Sequence, residues 1–241
     1  MALDARAVTK TYGAVTALNG ISLQVAQGSC VALVGESGSG KTTLLRTFNA
    51  MVAPDTGAIS VAGQDVRRSN PVELRRSVGY VQQEGGLLPH WTVLQNVALV
   101  PWLRGVADAD ERARKALDLM ELPAADFGAR WPRELSGGQR QRAALARALA
   151  GGPEVLLLDE PFGALDAITR VDVRRRFSAL RRTLGWTVLL VTHDLREAFE
   201  LADEIAVMRS GTIEHIGPPS ALLSGASTPY VRELVEKAGV S

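Results

Sequence analysis

The sequence predicts an α/β protein with a buried parallel strand at its centre, and three observations carry that prediction. Gly35-Glu36-Ser37-Gly38-Ser39-Gly40-Lys41-Thr42 is a complete G-x-x-x-x-G-K-[ST] loop, set between an apolar run from Cys30 to Val34 and a helix-spaced run from Thr43 to Phe48. Val155 to Leu158 is an unbroken apolar stretch ending in Asp159-Glu160, the pattern of a central strand whose carboxyl end faces a site. Residues 91–150 are rich in Ala, Leu, Arg and Glu with few β formers, so a helical lobe is inserted between strands.

At 241 residues and 46% hydrophobic content the chain buries a substantial core, as one large domain or as two lobes sharing one. No apolar stretch reaches the roughly 18 to 20 residues that span a bilayer, and Met1-Ala2-Leu3-Asp4-Ala5-Arg6 has no signal-peptide core. A soluble cytoplasmic chain is expected. A net charge of +1 gives no bulk attraction to nucleic acid. The single cysteine, Cys30, excludes an intrachain disulfide and sits in a predicted buried strand, where it reads as a structural thiol.

In chain order, residues 3–34 and 57–62 alternate or cluster β formers between Gly-containing turns, which predicts a partly antiparallel sheet around the loop. Tyr12 stands on the first turn, either as an aromatic face for a flat base or as a surface tyrosine. In the loop itself, glycines let the backbone turn with its N–H groups inward, and the following helix adds its positive end, so a polyphosphate fits. Lys41 supplies a full charge to the β and γ phosphates and the Thr42 hydroxyl reaches Mg2+. A dinucleotide G-x-G-x-x-G begun at Gly38 fails, because Thr43 stands where its third glycine belongs.

Pro71 to Arg76 reads as a short helix or turn before a strand, Ser77 to Val81, which ends at Gln82-Gln83. Gln83 can offer its carbonyl to Mg2+ or to an attacking water, or be a plain polar strand end. Glu84-Gly85-Gly86-Leu87-Leu88-Pro89-His90-Trp91 then reads as flexible at its start and apolar afterward; Leu87, Leu88 and Trp91 suit either core or a partner surface. Near the end of the helical block stands Leu135-Ser136-Gly137-Gly138-Gln139, followed by an Ala-rich helix from Arg140 to Ala150. Ser136 is a good N-cap, and the glycines free N–H groups at the helix's positive end, giving a second anion site.

Adjacent strand residues point to opposite faces, so Asp159 and Glu160 take different tasks: Asp159 suits Mg2+, and Glu160 suits orienting the water that attacks the γ-phosphate. Pro161 to Asp166 links into a helix with Val173, Phe177, Leu180 and Leu184 on one face, and Arg174, Arg175, Arg176, Arg181 and Arg182 read as its solvated face. Trp186 to Val191 is another buried strand, ending in Thr192-His193-Asp194, where His193 either donates to a γ-phosphate or is structural. A closing hairpin spans Ile205–Met208 and Thr212–Ile216 across Ser210-Gly211, and the chain after Pro218-Pro219 reads as a helical tail.

Together these segments resemble the ATP-binding subunit of ABC transporters over nearly the whole chain: Tyr12, Gly35 to Thr42, Gln83, Leu135 to Gln139, Leu158-Asp159-Glu160, Ala164-Leu165-Asp166 and His193, in that order. The resemblance implies a P-loop NTPase fold with a RecA-like core and N-terminal antiparallel β subdomain (1–90 and 151–217), a helical subdomain (91–150) and a helical tail (218–241). It implies ATP and Mg2+. It makes Tyr12 the adenine-stacking aromatic, Gln83 the Q-loop glutamine directly before the linker, Leu135 to Gln139 the signature motif and His193 the switch histidine. Catalysis then falls to Glu160, His193, Gln83 and Lys41, the metal to Thr42, Gln83 and Asp159, and the nucleotide to Tyr12, Gly35, Glu36, Ser37, Gly38, Ser39, Gly40, Lys41, Thr42, Thr43, Ser136, Gly137, Gly138, Gln139 and Asp166. The implied partners are a second copy, packed head to tail so that its Ser136 and Gly138 close on the γ-phosphate held by Lys41, integral membrane permease subunits, and an extracytoplasmic solute-binding protein, with no nucleic acid. The chain is then expected at the cytoplasmic face of the plasma membrane.

Exporter cassettes are commonly fused to their membrane domain, so the chain resembles a separate importer subunit. Pro71 to Val81, Leu88-Pro89-His90, Asn96 to Pro101 and Pro161 to Asp166 with Ile168-Thr169-Arg170 look most like the bacterial importers of quaternary amines such as glycine betaine, choline and carnitine. Ala167 stands where that group usually has proline, and the pair of C-terminal CBS modules of many members is absent, so regulation through such modules is not expected. An amino acid, polyamine or oxyanion cargo stays open, because no residue of such a subunit touches cargo. Soluble ABC ATPases acting on nucleic acid or ribosomes usually have two cassettes or a long coiled-coil insertion, neither of which is present.

Overall fold

Alternating apolar and polar residues on either side of Tyr12-Gly13 fold into a long antiparallel hairpin, β1 (Leu3–Tyr12) and β2 (Val15–Val25). The structure, a computed structural model, describes residues 1–83, 85–225 and 228–239. Glu84 of the linker and residues 226–227 and 240–241 of the tail lie outside the described residues. After the hairpin come β3 (Cys30–Val34) and, beyond the glycine loop, α1 (Lys41–Phe48). β4 (Thr56–Val61) and β5 (Gln64–Asp65) complete an antiparallel sheet of order β2-β1-β4-β5. α2 (Pro71–Ser77) ends this part of the first of two units, which comprises residues 1–74 and 181–241.

The second unit, residues 75–180, contains β6 (Val78–Val81), then α3 (Val93–Leu103), α4 (Ala109–Leu119), α5 (Ala124–Phe127) and, after a 3-10 turn at Pro132–Glu134, α6 (Gly137–Ala150). α3, α4 and α6 pack on one another, and Val97, Ala113, Leu117 and Ala143 on these helices are fully buried. β7 (Val155–Asp159) pairs in parallel with β6, Tyr80 opposite Leu157. α7 (Ala167–Leu184) carries the chain on to β8 (Thr187–Val191), α8 (Leu195–Leu201), β9 (Glu204–Arg209), β10 (Thr212–Gly217), α9 (Pro219–Gly225) and α10 (Pro229–Ala238). In the first unit β3 lies between β8 and β9, parallel to both, and β10 closes against β9 as the expected hairpin. Every residue of β3 and β8 is buried, which is why both read as continuous apolar runs rather than alternating ones.

Arg175, Arg176 and Arg182 of α7 are exposed as expected, and two of its arginines depart from the solvated face. Arg174 and Arg181 are 9% and 4% exposed, and Arg181 donates to Asp203 at 2.8 Å and to the Gly28 carbonyl at 3.2 Å. Positions 174, 177 and 181 recur at steps of three and four, so these arginines share a stripe with buried Phe177, while Leu184, expected on the apolar face, is 53% exposed. Among the described residues no helix is long and apolar enough to cross a membrane.

Candidate functional site

The glycine loop joins β3 to α1 in the first unit, and both of its ends are pressed against backbone. Gly35 has φ +143°, and a Cβ there would lie 2.1 Å from the Met208 carbonyl oxygen. Gly40, at φ +103°, would place a Cβ 2.4 Å from the Ala17 carbonyl oxygen, so no other residue fits either position. Ser39 N–H donates to the Glu36 carbonyl at 3.2 Å, and Gly211 N–H donates to the Ser39 carbonyl at 3.1 Å. The Lys41 ammonium, 8% exposed, folds back and donates to the Gly35 carbonyl at 2.8 Å, the Glu36 carbonyl at 2.7 Å and Ser39 Oγ at 3.3 Å. Thr42 and Thr43 follow, half-buried, in the first turn of α1, and that turn carries no acidic residue. Two glycine ends set against backbone, a buried cation and a helix N-terminus whose first turn carries no acidic residue suit a polyphosphate. Glu36, Ser37 and Gly38 form the loop's exposed lip.

His193, exposed just past β8, comes to this loop: with Val34, Gly35, Leu234 and Lys237 it lines a cavity of about 460 Å³. Its turn is fixed by Asp194, which caps α8 by accepting from the N–H groups of Arg196 at 2.9 Å and Glu197 at 3.4 Å. α10 supplies two residues that sequence reasoning missed, Lys237 in the cavity wall and Tyr230, whose hydroxyl accepts from Glu36 N–H at 3.2 Å. Burial holds the Tyr230 phenol above its ordinary pKa, so it is neutral at physiological pH. Thr228-Pro229, an N-cap followed by proline at the first helical position, marks where α10 starts but not what it touches. Tyr12 ends β1, 51% exposed, with the Lys10 ammonium 5.3 Å from its ring; no hydrogen bond or ring contact joins it to the loop among the described residues.

In the second unit Asp159 ends β7 wholly buried, and Glu160 follows at φ +52°. A non-glycine residue in the left-handed region costs on the order of 1 kcal/mol, and such strain gathers at functional positions. Gln141 on α6 donates to the Glu160 carbonyl at 3.4 Å. Ser136 caps α6 as expected, and the cap is reciprocal: Gln139 N–H donates to Ser136 Oγ at 3.1 Å, and Ser136 N–H donates to the Gln139 side chain at 2.9 Å. The S-x-x-Q spacing announces that capping box. A Cβ on Gly138 would meet the Leu165 side chain at 3.0 Å and one on Gly137 the Ala164 carbonyl at 3.6 Å, so the structure brings residues 136–139 against 164–165. Beside them the Asp166 carboxyl is held below the usual carboxylate range, first by the Thr169 N–H, which donates at 3.0 Å, and then by the Thr169 side chain.

Gln83 is exposed in the turn after β6. The linker that follows, expected to be flexible at its start, is pinned: Arg147 donates to the Gly86 carbonyl at 2.7 Å and the Gly85 carbonyl at 2.8 Å. Burial lowers the Arg147 pKa from its ordinary value. Further along, Asn96, fully buried, accepts from Leu88 N–H at 2.7 Å and donates to the carbonyls of Leu88 and Trp91 at 3.1 Å and Thr92 at 3.0 Å. Asn96 and Arg147 were missed as structural nodes, although an asparagine inside the apolar run of α3 is itself a signal that backbone must be satisfied there. Leu87, Leu88 and Trp91 are half-buried, and Trp91 meets Trp102, 63% exposed, edge to face at 6.3 Å. With Gln95, Ala98, Leu99 and Asp110 these two rings line a cavity of about 260 Å³.

Comparison with known proteins gives three kinds of match. A family model described as ABC transporter matches residues 18–163. The glycine betaine/carnitine/choline transport ATP-binding protein of Bacillus subtilis (strain 168) is 43% identical over 233 residues, which cover 95% of this chain and 61% of that relative; the chain spans about three fifths of its length. The sulfate/thiosulfate import ATP-binding protein of Caulobacter vibrioides is 44% identical over 244 residues, 99% of this chain and 71% of the relative. Among solved structures, the dimeric post-hydrolysis state of the ATP-binding cassette MJ0796, bound to ADP and Pi, is similar with a TM-score of 0.83 and 32% identity, covering 90% of this chain and 98% of the other.

Proposed function

The chain belongs to the ABC transporter family, and from that premise we propose that it binds and hydrolyses ATP to drive import of a small solute, a quaternary-amine osmoprotectant such as glycine betaine. The observation that carries the reading is the closed phosphate loop with the Lys41 ammonium buried inside it. On binding, Lys41 exchanges loop carbonyls for β- and γ-phosphate oxygens, and the N–H groups of the loop and of the first turn of α1 face the same charge. Thr42, Asp159 and Gln83 are the residues whose side-chain oxygens would hold Mg2+, and the ion would supply neutralisation of phosphate charge. Glu160 orients and polarises the attacking water, and His193 donates to the γ-phosphate.

The signature residues Ser136 and Gly138 act on the nucleotide of a second copy, with Asp166 beside them and Tyr12 against the adenine. The surface around Leu88 and Trp91 receives a cytoplasmic helix of the permease, at the inner face of the plasma membrane, and an extracytoplasmic binding protein delivers the solute. Leu88→Arg is expected to abolish permease association in a pull-down; retention of both association and uptake would refute that docking assignment. Oxyanion import is the second reading, favoured by the 44% identity to the Caulobacter relative, and competition of labelled glycine betaine uptake by unlabelled sulfate separates the two.

The test of the activity is phosphate release by the purified chain. The wild type is expected to hydrolyse ATP, and Glu160→Gln to bind ATP, run as a dimer in size-exclusion chromatography and hydrolyse at least about 100-fold more slowly. Hydrolysis by Glu160→Gln at the wild-type rate would contradict the assignment.

A further inference from the structure

Lys41 holds the Gly35–Glu36 peptide unit by its carbonyl end, and α10 reaches the other end of the same unit, the Glu36 N–H. Tyr230 is 8% exposed, and its hydroxyl accepts from the Glu36 N–H at 3.2 Å. Four further contacts fix where that hydroxyl sits. The Arg209 guanidinium lies over the ring, 4.6 Å from its centroid, and is paired with Glu214 at 3.7 Å. The other Glu214 oxygen accepts from the Thr228 hydroxyl at 2.7 Å. Thr228 in turn caps α10 by accepting from Val231 N–H at 3.3 Å. Burying and stacking the ring would serve a phenylalanine equally well; only the loop contact uses the oxygen.

We propose that Tyr230 is a positioning residue of the nucleotide site, its hydroxyl drawing the Glu36 N–H away from the cradle so that the loop stays in its binding form. An N–H turned outward and satisfied there cannot rotate inward, so the N–H groups that remain for phosphate are the later ones of the loop and of α1. Without the hydroxyl the binding form is only part of the population, and apparent affinity falls by that fraction. The inference rests on the reading of the loop as an ATP site and adds a dependence of that site on the carboxyl-terminal helix.

The experiment compares wild type, Tyr230→Phe and Thr228→Val in binding a fluorescent ATP analogue, in ATPase kinetics and in thermal melting. Tyr230→Phe is expected to raise Kd and KM about fivefold, the effect of about 1 kcal/mol for one hydrogen bond, with kcat and Tm near wild type. Thr228→Val keeps the tyrosine but loosens its helix, and is expected to raise Kd in the same direction by less. Wild-type affinity in Tyr230→Phe, or a fall in Tm with affinity unchanged, would overturn the proposal, the second because the hydroxyl would then only anchor α10. If Tyr230→Phe does not fold, wild-type affinity in Thr228→Val overturns it. A wild type that binds no ATP would instead refute the site.

Discussion

Replacing Asn96 by alanine removes from the linker between Gln83 and α3 one hydrogen bond accepted from Leu88 N–H and those of its two amide hydrogens, which are shared among the carbonyls of Leu88, Trp91 and Thr92. Each is worth about 1 kcal/mol net, and the groups stranded by the substitution are held by a side chain with no exposed surface. Thr92 also keeps its cap, because its hydroxyl accepts from Gln95 N–H, so the start of α3 survives and the loss is concentrated on residues 88–91. If water re-satisfies about a third of the lost bonds, the expected destabilisation is about 2 kcal/mol, a factor of roughly 30 in the unfolding equilibrium. Urea titration followed by tryptophan emission measures it, and amide exchange at Leu88 shows whether the opening is local. A change below about 0.5 kcal/mol with Leu88 still protected would refute the claim that this amide holds the linker.

Three other outcomes follow. Gly40→Ala is expected to abolish nucleotide binding, since its Cβ would sit 2.4 Å from the Ala17 carbonyl; binding within about twofold of wild type would show that the loop can shift away from β2. Cys30, whose thiol burial pushes up to about 12, is expected to resist a thiol reagent at about pH 8 until the protein unfolds, and rapid modification of the native chain would contradict its placement in β3. The Asp4 carboxyl is lowered chiefly by its hydrogen bond from Arg6; because the folded pKa lies below the unfolded value of about 3.9, its contribution is present above that pH and fades as pH falls through the folded value. The stability gap between wild type and Asp4→Asn should therefore narrow as pH falls below about 4, and a gap that stays constant on further acidification would contradict the assignment.

What was legible in the sequence was local. The glycine loop, the apolar runs of β3, β7 and β8 and the cap at Ser136 each declare themselves within a few residues, because the backbone constraint and the residues that meet it are adjacent in the chain. What was missed depends on partners far away. Arg181 reads as surface charge until Asp203 and the Gly28 carbonyl are brought to it, and nothing near Tyr230 reveals that its hydroxyl meets a backbone amide 194 positions earlier. Arg147 belongs to the same class, an arginine on an Ala-rich helix whose role appears only when the Gly85-Gly86 carbonyls arrive 62 and 61 residues back along the chain. Tyr12 is the converse case, where the motif names a role that contacts within the chain alone do not display.

The most direct test of the account is uptake of labelled glycine betaine at high osmolarity in cells lacking the gene, complemented with either wild type or Glu160→Gln. The account predicts uptake restored by the wild type and not by the variant. Equal restoration by both would contradict the role of Glu160, and uptake independent of the gene would contradict the osmoprotectant reading.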